Sequence, residues 1–93
     1  MLATLASGAL AAATRSLAVE YAAYGIRVNA VSAGVIQMPG HLPESYDGLG
    51  GRLSPLGRAG RVSDVVDGVL FLESSPYITG QVLRIDGGQR AGC

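Results

Sequence analysis

The basic residues of this chain are arginines only, and no lysine occurs. Every mechanism that needs a lysine amine is therefore closed to these 93 residues. His41 is the single histidine and Cys93 the single cysteine. Neither a zinc-ligand cluster nor a disulfide framework within the chain can be assembled from them. A Ser-His-Asp nucleophile has no support either, because His41 has no evident partner. Arg58 and Arg61 flank Gly60 just ahead of a predicted helix and could attract an anion, but surface charge or loop anchoring is the simpler reading. Arg27, at the start of a predicted strand, reads as a solvated or ion-paired side chain. Asn29, in the "RVNAV" stretch, reads as a tie between backbone segments.

The elements that must carry these residues follow from pattern. Residues 3–23 predict one long helix, rich in Ala and Leu, with Gly25 placed to supply a left-handed cap. Residues 26–34 predict a strand, with Ile26, Val28 and Val31 packed densely as in a parallel strand covered on both faces. Residues 37–60 hold three prolines and six glycines and predict a long, lid-like loop, with room for a helical turn near 43–49. Ser63 reads as an N-cap ahead of a second helix over 64–73, with Asp64 and Asp67 in its first turn. Pro76 stops that helix, and residues 80–86 predict a second strand bounded by glycines. The order is helix, strand, long loop, helix, strand, in which the last three elements can make a crossover between parallel strands. Two parallel strands cannot cover their own faces, so residues 1–93 predict an incomplete α/β domain, a piece of a larger sheet.

Composition excludes several classes. With 48% hydrophobic and 15% charged residues the chain is not a disordered tail. Seven basic and seven acidic residues leave no net charge, so nothing suggests nucleic acid as a partner. Residues 1–13 are apolar, but no basic residue precedes Arg15, which argues for helix rather than a signal peptide. The uncharged run before Arg15 is also too short for a membrane span of about 20 residues. The expected setting is reducing and cytoplasmic.

Three blocks in order, "TRSLAVEYAAYGIRVNAVSAGVI" (14–36), "PLGRAGRVSDVVDGVLFL" (55–72) and "YITGQVLRIDGG" (77–88), resemble the C-terminal part of the short-chain dehydrogenase/reductase family. The resemblance implies a doubly wound Rossmann-type parallel sheet that binds NAD or NADP and moves a hydride between nicotinamide and a carbonyl or alcohol substrate. It also implies a tyrosine general acid/base, a lysine four residues later, an orienting serine and a glycine-rich pyrophosphate loop. The family pattern Tyr-x-Ala-Ser-Lys-Gly-Ala-Leu ends on Gly8-Ala9-Leu10, which puts Ala3 at the tyrosine position and Ser7 at the lysine position. A second alignment sets Ala6-Ser7 on the pattern's Ala-Ser, with the lysine deleted before Gly8. Neither supplies the dyad. Tyr21, Tyr24, Tyr46 and Tyr77 are followed four residues on by Gly25, Val28, Gly50 and Gln81, so none can replace it. No catalytic residue is therefore assigned.

The resemblance also implies a cofactor wall. The family's Pro-Gly-x-Ile-x-Thr, whose isoleucine backbone meets the carboxamide, reads here Ala33-Gly34-Val35-Ile36-Gln37-Met38. Ala33, Gly34, Ile36 and Met38 are the candidate cofactor-binding residues, with the threonine hydroxyl lost at Met38. Asp86-Gly87-Gly88 is similar to the family's terminal motif, which the resemblance gives to packing and subunit contact. The expected protein is the C-terminal segment of such an oxidoreductase (a truncated frame, a gene remnant or part of a split chain), inactive by itself and not expected to bind NAD or NADP alone. The alternative is a non-catalytic module that pairs with a full-length relative through helix 3–23. The expected partners are a small-molecule carbonyl or alcohol, as the resemblance implies, and either further copies in a homo-oligomer or a relative. A third reading is a small-molecule binder that uses 37–60 as a lid.

Overall fold

Alanine and leucine lose little on entering a helix. In a computed structural model, which describes residues 2–37 and 54–91 with side chains from Gly8 onward, Leu2–Tyr21 form helix α1. A 3-10 turn, Ala22–Tyr24, tightens its end, and Gly25 adopts the left-handed conformation, φ 72°. The Gly25 N–H then donates to the Ala22 carbonyl (3.0 Å) and the Ile26 N–H to the Tyr21 carbonyl (3.3 Å). Carbonyls that the helix end would leave open are satisfied.

Strands β1 (Ala30–Ala33) and β4 (Val82–Ile85) pair in parallel, Ala30 opposite Val82 and Ala33 opposite Ile85. A second parallel pair, β2 (Ile36–Gln37) and β3 (Gly60–Arg61), clips together the two ends of the 37–60 stretch. The helical turn expected near 43–49 lies outside the described residues. Helix α2 (Val62–Glu73) connects β3 to β4 and packs on β1 and β4.

The first strand is shorter than 26–34 because side chains take over its early hydrogen bonds. The Val28 N–H donates to the Thr79 hydroxyl (3.1 Å), and Asn29 donates to the Ile78 carbonyl (3.0 Å) while accepting from the Gln81 N–H (3.1 Å). Regular pairing starts only at Ala30. At the other strand, Gly80 has a positive φ of 75° and Asp86 begins a turn, so β4 is confined to 82–85.

Helix α2 begins at Val62, and Ser63 lies inside its first turn rather than at the N-cap. The cap residue is Arg61. A guanidinium has no acceptor to offer, so the cap bond comes from the third helical residue, Asp64, whose carboxylate accepts from the Arg61 N–H (2.8 Å). Arg58 also donates to Asp64 (3.2 Å). The Arg61 amide first, and Arg58 second, hold the Asp64 carboxyl below the usual carboxylate range. A carboxyl with a depressed folded-state pKa stabilises above its unfolded value, and that stabilisation disappears as pH falls through the folded value. Helix content followed by circular dichroism should therefore fall on acidification below about pH 4. Asp64→Asn should weaken that acid dependence; an unchanged profile would remove Asp64 as its source.

Packing is close where glycines allow it. A Cβ at Gly68, in the middle of α2, would overlap the Ile85 Cδ1 and lie 3.5 Å from the Leu83 Cδ2. Leu83 and Ile85 share one face of β4, and α2 rests directly on it. A Cβ at Gly80 would meet the Ala18 Cβ of α1 at 3.3 Å. Among the described residues, Thr14, Ala18, Ala59 and Leu72 are buried, and no large side chain is fully enclosed. Val66, Val69, Leu70 and Phe71 of α2 remain exposed, as do Leu10, Leu17 and Val19 of α1. So many open apolar side chains on both helices mean that the layers lack part of their cover.

Candidate functional site

Of the residues expected to form the cofactor wall, Ala33 ends β1 and Gly34 and Ile36 come directly after it. The Gly34 N–H donates to the Ile85 carbonyl (3.0 Å), which carries the β1–β4 ladder one residue beyond Ala33. No side chain fits at position 34: a Cβ there would stand 2.8 Å from the Asp86 Cβ and 2.9 Å from its Cα. The Val35 carbonyl accepts from the Gly60 N–H (2.8 Å). In a trans peptide the C=O and the following N–H point to opposite sides, so the Ile36 N–H is directed away from β3. That amide is a donor of the kind a carboxamide oxygen requires. The Gly34–Ile36 backbone therefore keeps one main-chain donor that the pairing with β3 does not use. Met38 lies outside the described residues, as do His41 and Tyr46.

Ala3 and Ser7 lie within α1, and the described structure there is backbone alone. Of the other tyrosines, Tyr21 and Tyr24 face each other at the end of α1 with ring centroids 6.1 Å apart, and Tyr77 is fully exposed.

A cavity of about 330 Å³ opens beside this wall, lined by Val35, Ser54, Arg58, Asp64, Arg84 and Asp86 among others. Its volume is at the lower end of the range for small-molecule pockets. It borders Val35 but not Ala33, Gly34 or Ile36. The residues expected to meet the cofactor and the cavity are thus neighbours rather than one site. Arg58, on its rim, donates to the Ala59 carbonyl (2.9 Å) as well as to Asp64, which anchors the loop before α2.

Arg27 is half-buried and, rather than pairing with a carboxylate, turns to main-chain oxygens. Its guanidinium donates to the Leu72 (2.8 Å), Glu73 (2.7 Å) and Ile78 (3.3 Å) carbonyls. A cation on the last carbonyls of a helix meets the negative end of its dipole, and α2 has no basic residue in its own last turn. The partners are main-chain oxygens 45–51 positions away, and main-chain groups leave no mark in a sequence. Among the described residues no group of histidine, cysteine or carboxylate side chains could hold a metal ion. No helix among them is long and apolar enough to cross a membrane.

A parallel strand pair covered by helices, with a glycine-pinned turn at its C-terminal edge, is the arrangement of a Rossmann-type α/β fold. The chain belongs to the short-chain dehydrogenase/reductase family. Residues 2–90 match the family described as Enoyl-(Acyl carrier protein) reductase. The chain is 43% identical over 88 residues to glucose 1-dehydrogenase of Gluconobacter oxydans, covering 87% of this chain and 33% of the relative. It is 47% identical over 83 residues to 3-oxoacyl-[acyl-carrier-protein] reductase of Mus musculus, covering 87% and 34% respectively. The solved structure "ElxO with NADP Bound" superposes with a TM-score of 0.79 at 36% identity, covering 90% of this chain and 37% of that one. The chain therefore spans about a third of the length of the relatives it matches.

Proposed function

We propose that these residues form the C-terminal, nicotinamide-facing part of an NAD(P)-dependent oxidoreductase fold and contribute cofactor contacts without the acid/base dyad. The observation that carries this reading is the Gly34–Ile36 backbone, pinned by Ile85, Asp86 and Gly60 with the Ile36 amide turned away from β3. When bound, the cofactor supplies or accepts a hydride, with a small carbonyl or alcohol as the other reactant. The ElxO structure, which holds NADP, supports the cofactor class. Ala33, Gly34 and Ile36 would contact the carboxamide through main-chain atoms, so the change from proline to Ala33 costs little there. Met38 offers no hydroxyl to the amide or phosphate. Ala3 and Ser7 can neither move a proton to the carbonyl oxygen nor lower a phenol's pKa.

The test is a fusion of the 93-residue chain behind the N-terminal two thirds of a close relative. That protein should bind NADPH, read by enhanced nucleotide fluorescence, yet oxidise none of it with the relative's substrate. Turnover by the unmodified fusion, abolished by a substitution within residues 1–93, would overturn the reading.

The exposed side chains of α1 and of the 3-10 turn that follows it favour the pairing role as well. Val19 and Tyr24 are 80% and 76% exposed, and Leu10, Leu17 and Tyr21 join them on the open surface. The chain alone should elute from gel filtration as a self-associated species, and Leu17→Glu with Val19→Glu should shift it toward monomer. A monodisperse wild-type monomer would argue against association through α1.

A further inference from the structure

The turn after β4 touches two stretches that are far apart in sequence. Asp86 first organises the turn itself: its carboxylate accepts from the Gly88 N–H (3.0 Å) and the Arg90 N–H (3.2 Å). Its carbonyl accepts from the Gln89 N–H (3.2 Å). Gly87 and Gly88 take positive φ values of 62° and 90°, which a side chain would disfavour. On one side the turn abuts Gly34 so closely that no Cβ fits between them. On the other, the Gly87 carbonyl accepts from the Ser54 hydroxyl (3.1 Å) and from the Leu56 N–H (3.2 Å). A Cβ on Gly87 would overlap the Ser54 Oγ, and one on Gly88 would press on Pro55 at 3.3 Å.

We propose that Asp86 is a positioning residue: by shaping the 86–90 turn it fixes both the Gly34–Gln37 backbone and the Ser54–Leu56 backbone, and with them the two walls that meet at Val35. This rests on the cofactor role of Gly34–Ile36 for its functional meaning, but the mechanical coupling stands without nucleotide. Asp86 touches neither cofactor nor substrate in this scheme. Its carboxylate is occupied by the main chain of its own turn, and its effect is delivered through steric contact at Gly34 and the carbonyl of Gly87. The usual part for such a turn, packing and subunit contact, does not require Gly34 and Ser54 to respond together.

The test is amide hydrogen exchange on the full 93-residue chain, read by mass spectrometry without nucleotide, so that it is independent of whether NADPH binds. Asp86→Ala should speed exchange about tenfold at the Gly34, Leu56 and Gly60 amides, the scale expected from losing one hydrogen bond's worth of local protection. The Gly25 amide, capped by Ala22 on α1, should not change. Asp86→Asn keeps one carboxamide oxygen as acceptor and should give a smaller effect at the same amides. Ser54→Ala removes the hydroxyl between Gly87 and Leu56 and should loosen Leu56 while leaving Gly34 protected. Faster exchange confined to residues 87–90 would overturn the proposal. So would equal acceleration at Gly25 in both Asp86 variants, which would mark Asp86 as a general stability residue.

Discussion

The double change Ala3→Tyr and Ser7→Lys, made in the fused protein, is expected to switch on hydride transfer. Positions 3 and 7 both lie within α1, one helical turn apart, so the new side chains emerge on one face without any change in backbone. The tyrosine supplies the proton that the carbonyl oxygen needs, and the lysine's charge lowers the phenol's pKa toward neutrality. General acid/base catalysis of this kind contributes roughly 10²–10⁴-fold, so turnover should stand at least about a hundredfold above the assay background that the unmodified fusion shows. Ala3→Tyr alone should recover only part of it. A folded, NADPH-binding double variant that stays inactive, beside a working control carrying the relative's own C-terminal third, would show that Ala3 and Ser7 do not hold the dyad positions.

Arg27→Ala should be the most destabilising single substitution outside the packed glycines. Three carbonyls lose a charged donor at once, two of them at the end of α2. Hydrogen bonds to charged groups contribute about 1.5–3 kcal/mol each when well formed. For a half-buried guanidinium serving three acceptors, a net loss of about 2–4 kcal/mol is expected. Urea unfolding at matched protein concentration measures it, since any self-association makes stability concentration-dependent. Arg27→Lys should recover less than half, because one ammonium cannot reproduce the planar fork. A change below about 0.5 kcal/mol, the usual range for a plain surface substitution, would mean that the clamp contributes little.

The parts of this fold that were legible in the sequence are those that depend on local chemistry. Gly25 announces a left-handed cap because few other residues tolerate that conformation, and the Ala- and Leu-rich run before it could hardly be anything but helix. The start of α2 differs from the pattern's expectation for an equally local reason. Ser63 looked like the cap, yet Asp64 reaches back to Arg61, so the acid three residues past the true cap carried the signal. The strand spans 30–33 rather than 26–34 because Asn29 and Thr79 replace backbone pairing with side-chain bonds. Nothing in a one-dimensional pattern shows which polar residue will do so. The candidate cofactor wall is legible only by resemblance, and no local pattern shows why position 34 must be glycine. That reason is Asp86, 52 positions later, which only the folded chain brings against it.

The parallel clip of Ile36–Gln37 against Gly60–Arg61 has an evolutionary consequence. Once two points of a chain are tied, the entropy of closing the interval between them depends only weakly on its length, about 0.6 kcal/mol for each doubling. Residues between the clipped ends can be lengthened, shortened or rewritten while the Val35–Gly60 bond stays where it is. Change can then accumulate in the interval, generation by generation, without moving the strand ends that the tie holds together. A lineage with such a tie is free to experiment in one stretch of its sequence while the framework on either side keeps its register.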